Sequence, residues 1–87
     1  MSSLPSNPEV PIILPKLGTA PVRLSIWFAE PGDRVYEGVR IVEVSAGGAT
    51  FDVAAPATGR LATRLVIPRD ELRHGQVLGF IAPEEAS

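Results

Sequence analysis

Eighty-seven residues, 45% hydrophobic and 21% charged, specify one small globular domain, which buries roughly 60–65% of its unfolded surface. A net charge of −2 gives no electrostatic reason to bind nucleic acid or an anionic membrane. The absence of cysteine excludes disulfides, thiolate catalysis and thiolate metal sites.

Along the chain, residues 1–11 (M-S-S-L-P-S-N-P-E-V-P) hold three prolines and three serines and read as a disordered lead. Residues 12–81 read as the domain and 82–87 as an acidic tail. Nine prolines and eight glycines break the chain into short apolar runs, with no 3.6-residue stripe of useful length, so the predicted class is all-β. No apolar run nears the ~18 residues of a membrane span, and the N-terminus lacks a basic stretch followed by an apolar one. A cytoplasmic location is expected. In L-S-I-W-F (24–28), alternation places Leu24, Ile26 and Phe28 on one face, with Trp27 as a packing residue.

From Ile41 to Val53 the chain reads I-V-E-V-S-A-G-G-A-T-F-D-V, two strand-like runs around Gly47-Gly48. This predicts a hairpin with a two-residue turn, because glycine supplies positive φ at both central positions without steric cost. The implied register pairs Ala46 with Ala49, Ser45 with Thr50, Val44 with Phe51, Glu43 with Asp52 and Val42 with Val53. Two carboxylates directly opposed are mildly unfavourable, so Glu43 and Asp52 are either solvated or used for contact. The tip carries no lysine, cysteine, serine or histidine.

Other candidates are weaker. Asp33 and Asp70 each read as turn caps. His74, the single histidine, precedes Gly75 in a turn without a serine or acid at triad spacing. One histidine also leaves a zinc or iron centre without ligands, and no metal site is predicted. The seven arginines form no basic stripe, and no phosphate loop or dinucleotide fingerprint is present.

An internal repeat supplies the architecture. A shift of 37 residues superposes Ala20, Arg23, Leu24, Pro31, Asp33 and Gly38 on identical residues at 57, 60, 61, 68, 70 and 75. It also aligns Phe28, Val35, Ile41 and Val44 with Leu65, Leu72, Leu78 and Ile81. Neither half can bury its apolar face alone. Two copies face to face can, which predicts a flattened barrel or sandwich with a pseudo-two-fold axis. The same shift carries Gly48 to Pro11 and Glu85, so the tip should lie opposite both chain ends.

Several motifs in order make the chain resemble the biotinyl/lipoyl attachment family, in particular the lipoyl domains of 2-oxoacid dehydrogenase acyltransferase components. They are L-P-K-L-G (14–18), Trp27, G-D-R-V-x-x-G (32–38), E-V-x-x-x-x-A-T (43–50), A-P-x-x-G (55–59) and G-Q-V-L (75–78). The resemblance implies a barrel-sandwich hybrid of two four-stranded antiparallel sheets. It also implies that the D-K-A acceptor triplet corresponds to Gly47, Gly48 and Ala49, so the lipoyl-lysine position is Gly48. The M-K-M of biotinyl domains is equally absent. The loop after L-P-K-L-G departs too, being about two residues shorter than in the family. Lys16, the only lysine, matches a family lysine that is not the acceptor.

These readings lead to an expectation of no lipoate, no biotin and no enzymatic activity. The expected role is a monomeric structural or protein-interaction module, and a partner at the hairpin end could be a 2-oxoacid dehydrogenase component. Contact candidates are Glu43, Ser45, Gly47, Gly48, Thr50 and Asp52. The alternative is a working swinging-arm carrier domain of an acyltransferase complex.

Overall fold

In the computed structural model, residues 8–84 are described and form eight strands. These are β1 (Val10–Ile13), β2 (Val22–Trp27), β3 (Arg34–Val35), β4 (Arg40–Ala46), β5 (Ala49–Ala54), β6 (Gly59–Arg64), β7 (Glu71–Leu72) and β8 (Val77–Pro83). They make two four-stranded antiparallel sheets, ordered β1-β8-β6-β3 and β5-β4-β2-β7. The all-β flattened sandwich expected from the sequence is the observed fold.

The two sheets are copies of one another. β2, β3 and β4 fall on β6, β7 and β8 at a shift of 37 residues, boundary for boundary. Irregularities are repeated as well: β2 slips against β4 between Leu24 and Ile26, and β6 slips against β8 between Leu61 and Thr63. Asp33 Oδ2 accepts from the Glu30 N–H, and Asp70 Oδ2 from the Ile67 N–H, both at 2.9 Å. Both aspartates therefore cap turns, as their sequence context implied. Arg60 donates to the Gly32 carbonyl at 3.0 Å, and Arg23 to the Arg69 carbonyl at 3.1 Å. Arg69 has a φ of 79°, where its counterpart Gly32 has 96°. The turn geometry is kept in the second copy even without glycine.

One segment breaks the repeat. Leu14 and Ala55 make matching backbone bonds, each donating to one strand-edge carbonyl (Gln76, Val39) and accepting from one glycine (Gly75, Gly38). These residues are 41 apart, because the β1–β2 connection spans 14–21 while the β5–β6 connection spans only 55–58. Pro11 therefore corresponds to Asp52 rather than to the hairpin tip, and it pairs with Phe80 inside the β1–β8 ladder. β1 runs toward the tip end and β8 away from it, so the ends of the described residues lie opposite the tip. The edges of the expected domain move outward: Val10 and Pro11 belong to β1, and Ala82 and Pro83 to β8. Of the rest of the expected lead and tail, residues 8, 9 and 84 are in no strand, and 1–7 and 85–87 lie outside the described residues.

Between the sheets lies a wholly apolar core. Ile12, Leu14, Leu24, Ile41, Val42, Val44, Leu61, Leu78 and Ile81 are essentially inaccessible, and no described polar side chain is buried. Trp27 packs against this core and donates its Nε1–H to the Val66 carbonyl at 2.9 Å. The simple alternation expected for 24–28 does not hold. The slip at Ser25 turns Trp27 inward and leaves Ile26 and Phe28 at 45% and 39% exposure. A β-bulge adds one residue to one strand and inverts the facing of everything beyond it.

Candidate functional site

Residues 40–54 build the hairpin β4–β5. Its register pairs Val42 with Val53, Glu43 with Asp52, Val44 with Phe51, Ser45 with Thr50 and Ala46 with Ala49. Val42, Val44, Ala46 and Val53 face the core, while Glu43, Ser45, Thr50 and Asp52 share the outer face. The period of two explains this division, since consecutive residues of a strand point to opposite sides.

At the tip Gly47 and Gly48 have φ of 59° and 82°. Two consecutive positive values are those of the type I′ turn, which matches the right-handed twist of the strands it joins. A Cβ on Gly48 would meet nothing within 4 Å, whereas one on Gly47 would come within 3.3 Å of Ala20 Cβ in the β1–β2 connection. Gly48 thus faces open space, and the connection flanks the tip through Ala20 beside Gly47.

The outer-face carboxylates are engaged. Ser25 Oγ donates to Glu43 Oε2 at 2.9 Å, and Arg40 Nη1 lies 3.8 Å from Asp52 Oδ2. The Arg40–Asp52 side chains are 58% and 50% exposed, so this pair contributes at most about 1 kcal/mol. All six candidate residues therefore occur on one hairpin, four of them side by side on its outer face and two at its apex. Ile26 sits next to Glu43 on that face, in register with it, and is exposed. Sequence alternation hid Ile26, because only the slip at Ser25 turns it outward.

The tip has no chemistry for an amide-linked prosthetic group. Such a link needs a side-chain amine, and neither Gly47 nor Gly48 has a side chain. Lys16 lies elsewhere, on the β1–β2 connection, where it lines an open groove with Arg73 and His74. Among the described residues no cluster of three or more His, Cys, Asp or Glu could hold a metal ion. Nor is any helix long and apolar enough to cross a membrane.

No family model matches this chain, and no curated protein matches its sequence. In structure it is similar to the lipoyl domain of the 2-oxoglutarate dehydrogenase complex from Azotobacter vinelandii. The TM-score is 0.63 and the identity 22%, over 84% of this chain and 92% of that one. At this identity the likeness is one of architecture: the chain has the lipoyl-domain fold.

Proposed function

We propose that this domain is a lipoyl-type scaffold without a swinging arm, a non-catalytic module that works by docking its hairpin end on a protein partner. The observation that carries the reading is Gly48. It occupies the second turn position with open space around it, the position that the family resemblance assigns to the modified lysine, and it offers no nucleophile. The likeness in fold to a lipoyl domain of a 2-oxoglutarate dehydrogenase complex makes a 2-oxoacid dehydrogenase component the first partner class to test. In this reading the chain carries neither lipoate nor biotin and acts as a cytoplasmic monomer. Its contacts come from Glu43, Ser45, Gly47, Gly48, Thr50 and Asp52.

Intact mass spectrometry of the protein from its native host tests the first half. An unshifted mass is expected, and a lipoyl or biotinyl increment would restore the swinging-arm carrier reading instead. Affinity capture with Glu43→Lys and Asp52→Lys variants tests the second half. A specific partner should be retained by the parent chain and lost from the double variant. Equal retention by both would remove the hairpin face as the contact. A Gly48→Lys variant offered to a lipoate ligase separates loss of the acceptor from loss of the ligase-binding surface: labelling points to the acceptor alone.

A further inference from the structure

The two halves of the fold repeat each other closely except at the tip end, where the β1–β2 connection is twice the length of its counterpart. At the opposite end the shorter connection closes against its neighbour: Thr58 Oγ1 accepts from the Glu37 N–H at 2.9 Å. At the tip end the longer connection is tied to the turn after β7 at Leu14, which bonds Gln76 and Gly75, but residues 15–21 leave a gap beside Leu72, Arg73 and His74. The gap is a groove of about 440 Å³, within the size range of small-molecule sites.

Its composition is polarised. Pro15, Leu17 and Pro21 supply accessible apolar surface over the buried Val22 and Leu72, and Lys16, Arg73 and His74 supply the polar groups. Among the described residues no acidic one lines it, although the chain as a whole is net negative. The basic character belongs to this copy alone: Arg73 and His74 correspond to Tyr36 and Glu37, and the shorter connection, A-P-A-T (55–58), contains no cation. Arg23, Arg34, Arg40, Arg60 and Arg64 each have a partner within the fold. Among the described residues Lys16 and Arg73 enter no ion pair, so their charges are available to an incoming group.

We propose that this groove binds a carboxylate carried on an apolar chain. The hydrocarbon lies along Pro15, Leu17 and Pro21, and the carboxylate sits between the Lys16 ammonium and the Arg73 guanidinium. Charge-assisted hydrogen bonds to two cations fix its orientation, and an amine of the same length is repelled. A free aliphatic acid and the C-terminus of a protein ending in an apolar residue share this chemistry.

Amide chemical shifts of the ¹⁵N-labelled full chain give the test. Octanoate is expected to shift Leu17, Ala20, Leu72 and His74 saturably, with butanoate at least about fivefold weaker because less hydrocarbon is buried. Octylamine should leave these signals in place. The exposed substitutions Lys16→Glu and Arg73→Glu, combined, should weaken octanoate at least tenfold while preserving the dispersion of the remaining spectrum. A second arm uses an N-acetylated hexapeptide ending in leucine, with a free or an amidated C-terminus. Saturable shifts with the free form alone identify a protein terminus as a source; shifts with octanoate alone identify a free acid. If neither acid perturbs the groove, or octylamine binds equally, or the double variant retains full affinity, the proposal is overturned.

Discussion

Glu43 and Asp52 stand directly opposite one another across β4 and β5, yet their carboxylates are held by different partners, Ser25 and Arg40. Like charges at such a position are ordinarily destabilising. Here a hydroxyl on the neighbouring strand takes one carboxylate, and a guanidinium at the far end of β4 takes the other. Arg40 has a second role, since its guanidinium lies 4.3 Å from the centre of the exposed Phe28 ring.

Replacing Arg40 should expose the repulsion it offsets. Arg40→Ala is expected to cost about 1 kcal/mol in low-salt urea denaturation, from the lost ion pair, the lost ring contact and uncompensated Asp52. Part of that loss should disappear in 1 M salt, where the Debye length falls to about 3 Å. Adding Asp52→Asn should recover the same salt-sensitive part. A deficit that is independent of salt and of Asp52 would assign the whole effect to packing on Phe28.

The tip glycines are required by backbone geometry and not by space. Gly48→Ala places a Cβ in the open but keeps a residue at φ of 82°, so it should cost about 1 kcal/mol. For a domain of this size that is a fall of roughly 4–8 °C in melting temperature. Gly48→Asn should be milder, because asparagine tolerates this conformation. Thermal melts of the two variants check the order.

Gly59 and Gly79 are different in kind. A Cβ on Gly59 would lie 2.0 Å from the Ala82 carbonyl oxygen, and one on Gly79 would lie 2.3 Å from the Thr63 carbonyl oxygen. Backbone cannot yield as a flexible side chain does, so each alanine must separate β6 from β8. Gly59→Ala and Gly79→Ala are each expected to lose about 3 kcal/mol or more, enough to unfold much of the chain at 37 °C. Circular dichroism melts should rank both well below Gly48→Ala.

Trp27 anchors the end of β2 through one hydrogen bond to the Val66 carbonyl. Trp27→Phe keeps an aromatic ring but leaves that carbonyl without its donor on a buried residue, an expected loss of about 1–2 kcal/mol. Denaturation followed by circular dichroism measures it, because the substitution removes the only tryptophan.

Much of this molecule is legible along the chain. The 37-residue repeat anticipates the two-fold sandwich, and in the structure β2, β3 and β4 recur as β6, β7 and β8 at that shift. Gly47-Gly48 between alternating runs anticipates the hairpin and five of its six pairs, from Val42–Val53 to Ala46–Ala49; the sixth, Arg40–Ala54, lies beyond a register slip. Both inferences rest on information carried by near neighbours: a period-two pattern and a turn that only glycine enters cheaply. The lack of any nucleophile at the tip is likewise a matter of composition.

Other features exist only once the strands are paired. The slip at Ser25, which turns Ile26 and Phe28 outward and Trp27 inward, depends on how β2 packs on β4. The partners of Glu43 and Asp52 come from strands or strand ends that no local pattern identifies. The groove holding Lys16, Arg73 and His74 joins positions more than fifty residues apart. Local sequence thus determined the strands, the turn and the bare tip. Tertiary packing decided which way the side chains beyond a bulge face and which distant charges meet, because those depend on contacts between segments and not on order along the chain.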